Sequence, residues 1–236
     1  NSSFSFSTEN PSTTSASPRG AGSASILCEA GGPFGALRVS RLKVVTDNSC
    51  VDVRGTVRHL DAPRDLHIDA SIEPSTVTMS DLDLFIREIP EDVLSPELPI
   101  GVRGSFVGPP LDFTTELDLT GAFGALSGRA ALNLNSNPPA YNATYDMTGF
   151  NPGLLFGRGM PNTLLNGRME LQGADFDPAA MNLNFFLVLD SSRVQGHSVG
   201  ALQANGTMIE GTMDAEAHAS EGTTTADATF TARLAG

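Results

Sequence analysis

The sequence has no tryptophan, two tyrosines, two cysteines and a single lysine (Lys43) in 236 residues. Each shortage excludes something. With no Trp and 6% aromatics, the chain lacks the exposed ring platform that a carbohydrate-binding β-protein needs. Fourteen basic residues face 27 acidic ones, a net charge of -13. The excess is even, with 8 basic and 14 acidic residues up to position 100 and 6 and 13 after it. Such a chain repels phosphate backbones and anionic headgroups, which argues against nucleic acid and charge-driven membrane docking. No run of about 18 apolar residues is long enough to cross a bilayer as a helix. No charged segment followed by an apolar run opens the chain, so no signal peptide is read there.

Chemical signatures are also missing. There is no phosphate-binding GxxxxGK[ST], no HExxH, no GxSxG, and no GxGxxG opening a helix. His59, His67, His197 and His218 are scattered. Asp81 and Asp83, and Asp175 and Asp177, form DxD pairs that could bind calcium. A helix first turn and a turn before proline explain them more simply. No carboxylate has a marked acid/base partner. The reading is a non-enzyme with no catalytic residue, no metal and no cofactor. Cys28 and Cys50 form one disulfide in an oxidising compartment or remain two thiols.

What is present is alternation. Val51, Val53 and Val57 alternate with polar residues, as do Leu66, Ile68 and Ile72, then Phe113, Leu117 and Leu119. Leu183, Phe185, Leu187 and Leu189 share one face farther on, and Ala226, Ala228, Phe230, Ala232 and Leu234 close the series. Period two means strands with one wet and one apolar face. Turn clusters punctuate them at Asp61–Pro63, Gly108–Pro110, Asn135–Pro139 and Asp175–Pro178, and Asn205-Gly206 reads as a two-residue hairpin. A short helix is expected over residues 80–87 and a single turn over 151–156.

At roughly 12 residues per strand and turn, about 200 residues make on the order of 15 strands. Their lining is aliphatic, and glycine recurs inside them (Gly55, Gly104, Gly128, Gly167). Both features favour a long, curved, open β-sheet with one or two short helices over a compact sandwich. Residues 1–30, rich in Ser, Pro and Gly, read as a lead-in or as an edge strand around Phe4 and Phe6. Residues 31–236 read as a repetitive β-groove segment that starts and stops in mid-pattern, as an internal piece of a longer protein does.

The succession of segments resembles a known family. It runs through 37–46 (LRVSRLKVVT), 51–63 (VDVRGTVRHLDAP), 65–73 (DLHIDASIE), 89–96 (IPEDVLSP) and 98–108 (LPIGVRGSFVG). It continues through 113–121 (FTTELDLTG), 124–134 (GALSGRAALNL), 141–150 (YNATYDMTGF) and 165–178 (LNGRMELQGADFDP). This texture is similar to that of the AsmA/TamB group of bacterial cell-envelope proteins (the translocation and assembly module), over about residues 36–220. The resemblance implies a taco-shaped sheet (a β-taco) with a hydrophobic groove. It implies phospholipid transport across the periplasm towards the outer membrane, in a protein anchored in the inner membrane. Implied partners are phospholipid acyl chains, the rest of the longer chain and an outer-membrane barrel protein involved in outer membrane biogenesis. The membrane helix and a recognisable barrel-docking segment are missing from this stretch. The expected groove lining is the strand sets above plus Leu132, Leu134, Met147, Met169 and Leu171. The alternative is a structural or adhesive secreted β-solenoid whose apolar face is a closed core, although solenoid repeats should be more even in length.

Overall fold

The computed structural model describes residues 3–7, 24–33, 35–82, 98–156, 162–177 and 179–233. The chain is all-β and falls into two compact units, residues 1–110 and 111–236. The division follows the Gly108–Pro110 cluster, where two prolines cannot donate to a ladder.

The first unit contains β1 (Ser3–Ser7), β2 (Ser25–Gly31), β3 (Ala36–Val45), β4 (Cys50–Arg58), β5 (His67–Thr78) and β6 (Pro99–Gly108). A 3-10 turn (Pro63–Asp65) precedes β5 and a short helix, α1 (Met79–Leu82), follows it. The second unit contains β7 (Asp112–Gly121), β8 (Gly124–Asn133), β9 (Ala140–Phe150), β10 (Thr163–Ala174), β11 (Asn182–Val194), β12 (His197–Ile209), β13 (Thr212–Glu221) and β14 (Thr224–Arg233). One helical turn, α2 (Pro152–Phe156), links β9 to β10.

Within each unit the strand order is the chain order, and every described pair is antiparallel. The last strand of a unit does not return to its first, so each sheet is open rather than a barrel. The substantial contacts between described elements join neighbouring strands or hold α1 on β5, so among the described residues no second layer covers either sheet.

Within the stretch read as a lead-in or an edge strand, Ser3–Ser7 form a strand. β1 pairs β2 with Phe4 opposite Ala30 and Phe6 opposite Cys28. The segment 1–30 therefore supplies two strands to the first sheet. The helix expected over 80–87 is seen as α1 through Leu82, and the remainder lies outside the described residues. α2 matches the expected turn at 151–156, capped by the Asn151 side chain, which accepts from the Gly153 N–H at 3.1 Å.

The hairpin expected at Asn205-Gly206 is not formed. Both residues lie inside β12, opposite Phe186 and Phe185. The tight turns are instead Gln195-Gly196 and Glu210-Gly211, with φ of 50 and 84, and 47 and 75 degrees. Positive φ at both central positions is the type I′ requirement, whose twist matches that of the flanking strands. The two cysteines are free. Cys28 lies opposite Leu42, which lies opposite Val53, whereas Cys50 lies opposite Val45. The thiols are thus on opposite faces of the sheet with β3 between their strands, and no disulfide can bridge that arrangement.

One polar cluster ties α1 to the β3–β4 turn. The Asp81 carboxylate accepts hydrogen bonds from Ser49 Oγ at 2.5 Å, Thr46 Oγ1 at 2.6 Å and Thr78 Oγ1 at 3.0 Å. Those donations, Ser49 first, hold its pKa below the usual 3.8. A depressed folded-state pKa adds stability that is complete above the unfolded value and is lost as pH falls through the folded one. Asp81→Asn is therefore expected to lower Tm at neutral pH and to flatten its decline below about pH 4. Thermal melts followed by circular dichroism between pH 2.5 and 7 check this; parallel curves for the two proteins would contradict it.

Candidate functional site

Residues directly opposite each other in an antiparallel pair project to the same face, and that face repeats every second residue. In the second unit this rule assembles four apolar rows, each crossing all eight strands. The first row runs Phe113, Leu132, Tyr141, Gly173, Leu183, Met208, Met213, Ala232. The second runs Thr115, Ala130, Ala143, Leu171, Phe185, Gly206, Ala215, Phe230. The third contains Leu117, Tyr145, Met169, Leu187 and Ala204, and the fourth Leu119, Leu126, Met147, Leu189 and Leu202. No charged residue occurs in any row. Rows about 6.7 Å apart over strands about 4.8 Å apart make a patch of roughly 20 by 34 Å.

This face is not a closed core. Only Val77, Ile100, Phe123, Met147, Phe150 and Leu189 are buried hydrophobic residues among the described ones. Most of the rows are half-buried by their own neighbours, and β14 is exposed, with Phe230 at 50%. The exception is the fourth-row end. There Met147 and Leu189 flank Gly167, which has no side chain to separate them. Fully buried Phe123 meets Phe150 edge-to-face at 6.2 Å beside them. The lining also changes across the sheet, from Leu, Met, Tyr and Phe on β7–β11 to mostly Ala on β13 and β14.

Three rings keep the surface low. A Cβ built on Gly128 would lie 2.8 Å from Tyr145 Cδ1, one on Gly173 would lie 2.6 Å from Tyr141 Oη, and one on Gly206 would lie 2.7 Å from Phe185 Cε1. Each ring therefore lies over a cross-strand glycine, shielding backbone that the missing side chain would leave exposed. Tyr141 also stacks on Phe176 at 5.2 Å. Burial raises the Tyr145 phenol above its usual 10.0, and burial followed by Asp175 does the same at Tyr141.

The first unit has its own apolar face. Val51, Val53, Val57, Ile68 and Ile72 share it, together with Leu37, Val39, Leu42 and Val44. Leu66 precedes β5 and Leu134 follows β8, so neither is a strand residue. Leu234 lies outside the described residues, and every other expected lining residue is on one of the two apolar faces. Sequence reasoning missed Tyr141 and Tyr145 as lining, as well as Leu126, Leu202, Met208 and Met213. Their alternation with Asn142, Asp146, Gln203, Thr207 and Asp214 was the available signal.

The opposite face is acidic and wet. In the second unit it carries Glu116, Asp118, Asp146, Glu170, Asp214 and Glu216, which keep an open sheet in solution. Asp175 and Asp177 serve their own turn, accepting from the Asp177 and Ala179 N–H groups at 3.0 and 2.9 Å. Among the described residues no group of three or more His, Cys, Asp or Glu is placed to hold a metal ion, and no helix is long and apolar enough to cross a membrane. Comparison of the chain with protein-family models, curated proteins and solved structures finds no match.

Gly128→Ala tests the seating of a ring on a glycine. The added methyl meets the Thr144 carbonyl and the Tyr145 ring, and forcing it in is expected to cost about 1–3 kcal/mol. Urea denaturation followed by circular dichroism should show the midpoint fall; an unchanged midpoint would contradict the packing.

Proposed function

We propose that this chain is a hydrophobic-groove segment of a bridge-like lipid-transport protein, moving phospholipid between the inner and outer membranes of a diderm envelope. It works in the periplasm as part of a longer, inner-membrane-anchored protein. Its partners are phospholipid acyl chains, the rest of its own chain and an outer-membrane barrel protein; it needs no cofactor and binds no nucleic acid. The observation that carries this reading is the set of four uncharged rows across β7–β14, over which no second layer lies among the described residues.

The chemistry of the face supports methylene chains as its occupant. One leaflet's acyl chains fill about 15 Å, half of a bilayer's hydrocarbon thickness, and the rows extend about 20 Å along the strands. Each methylene moved from water yields about 0.8 kcal/mol, so eight of them yield about 6 kcal/mol before the cost of association. That is enough to hold a chain and too little to trap it. Leu and Met side chains adapt to a mobile ligand, and the ring-covered glycines leave no ridge for it to cross. The chain-order antiparallel meander also favours this reading over the solenoid, whose β-helical coils stack as parallel strands with a fixed repeat.

The test is native mass spectrometry with lipid extraction on the chain purified from a bacterial host. Stoichiometric phospholipid is expected, and a Leu183→Asp/Leu187→Asp variant should lose it while keeping its β-sheet circular dichroism. A lipid-free, monodisperse, stable chain would overturn the proposal.

A further inference from the structure

We infer that the wet face of the first unit carries a binding site for inorganic phosphate, in a hollow over β3, β4 and β5. The hollow has a volume of about 360 Å³, and its polar lining is Arg38 and Ser40 of β3, Arg54 and Thr56 of β4, and Asp69 and Ser71 of β5. The register brings these residues together. Arg38 lies opposite Thr56 and Thr56 opposite Asp69, while Arg54 lies opposite Ser71. They alternate along their strands with Leu37, Val53, Val57, Ile68 and Ile72, so they project away from the apolar face. The site therefore does not rest on the lipid reading.

The charges in the hollow are left for a guest. Arginine and aspartate that share a hollow attract one another, yet neither Arg38 nor Arg54 is ion-paired to Asp69. Arg38 makes no ion pair among the described residues, and Arg54 reaches Glu73 only through Nε at 3.9 Å. Ser40 Oγ donates to the Glu29 carbonyl at 3.0 Å, so Thr56 and Ser71 supply the hydroxyl donors. On a chain of net charge -13, two guanidiniums and two hydroxyls facing one hollow form a local oxyanion cradle. The guanidinium fork matches the edge of a tetrahedral oxyanion.

Asp69 selects among oxyanions. A carboxylate only accepts, so a guest beside it must bring a proton as well as negative oxygens. Inorganic phosphate keeps a P–OH at neutral pH. That hydroxyl donates to Asp69, while the unprotonated oxygens accept from the guanidiniums and hydroxyls. Sulfate has no such proton at neutral pH, and neither have the phosphodiesters of lipid headgroups and nucleic acids. Each of them would set lone pairs against the carboxylate.

Isothermal titration of the 236-residue chain with inorganic phosphate near pH 7 tests the inference. Binding at one site per chain is expected, with sulfate weaker by about tenfold or more. Arg38→Gln and Arg54→Gln should each raise the phosphate Kd by about tenfold or more, with unchanged circular dichroism. Asp69→Asn supplies a donor where the carboxylate stood, and should bring sulfate to within about threefold of phosphate. Vesicles of phosphatidylglycerol should show no binding that depends on Arg38 or Arg54. The comparison of phosphate with sulfate uses the unaltered chain, so it stands whatever a variant does to folding. No binding of phosphate, sulfate bound as tightly as phosphate, phosphate binding indifferent to both arginine substitutions, a preference that survives Asp69→Asn, or arginine-dependent binding to the vesicles would each overturn it.

Discussion

Face parity governs everything else in this protein. A strand's side chains alternate, so a one-residue slip anywhere would send the following apolar set to the wet face. β12, β13 and β14 keep parity by unbroken register. Elsewhere the apolar pattern itself changes phase, and the backbone corrects it. Leu37 and Val39 are followed by Leu42 and Val44, three residues on rather than two. The register shift around Ser40 and Arg41 absorbs the extra residue, so all four share a face. The same happens in β5, where the shift at Glu73 and Pro74 returns Ser75 and Val77 to the face of Ile72. In the second unit Gly149 and Ser191, both at positive φ, sit beside the interrupted registers of β9 and β11 against β10. Bulges here preserve a continuous surface rather than mark a defect.

That surface explains why the fold tolerates so small a buried core. Most sheets bury an apolar face against a second layer. In this chain the stabilising burial is lateral, from neighbours in the same row, and the buried clusters lie where a helical turn or hairpin folds over. Val77 and Ile100 lie opposite one another beside α1, and Phe123 and Phe150 lie beside α2. Among the described residues nothing is layered on the rest of the face, which is a cost for a protein that does nothing with it and a requirement for one that carries chains of methylenes.

The fold was legible because its signal is period two, read from adjacent residues. The strand sets from Val51 to Leu189 and the one-turn helix at Pro152–Phe156 needed no partner information. What failed needed knowledge of the strand opposite. Asn205-Gly206 has turn chemistry, yet Gly206 is a glycine because the Phe185 ring from β11 occupies the space above it. Glu210-Gly211, with weaker turn residues, makes the hairpin because the register ends there. Tyr141 and Tyr145 are lining because each lies over a glycine of the neighbouring strand, Gly173 and Gly128. Cys28 and Cys50 are too alike in sequence context to reveal that β3 separates them.

The central claim is that methylene chains, and not another polypeptide, occupy the apolar face. A photocrosslinking amino acid placed at position 187, in the third row, reports its occupant directly when the chain is irradiated in lipid-containing bacterial cells. A second probe at position 170, on the acidic face, serves as the control. The account predicts phospholipid adducts from position 187 and none from position 170. Adducts to protein from position 187, or equal lipid labelling from both positions, would contradict it.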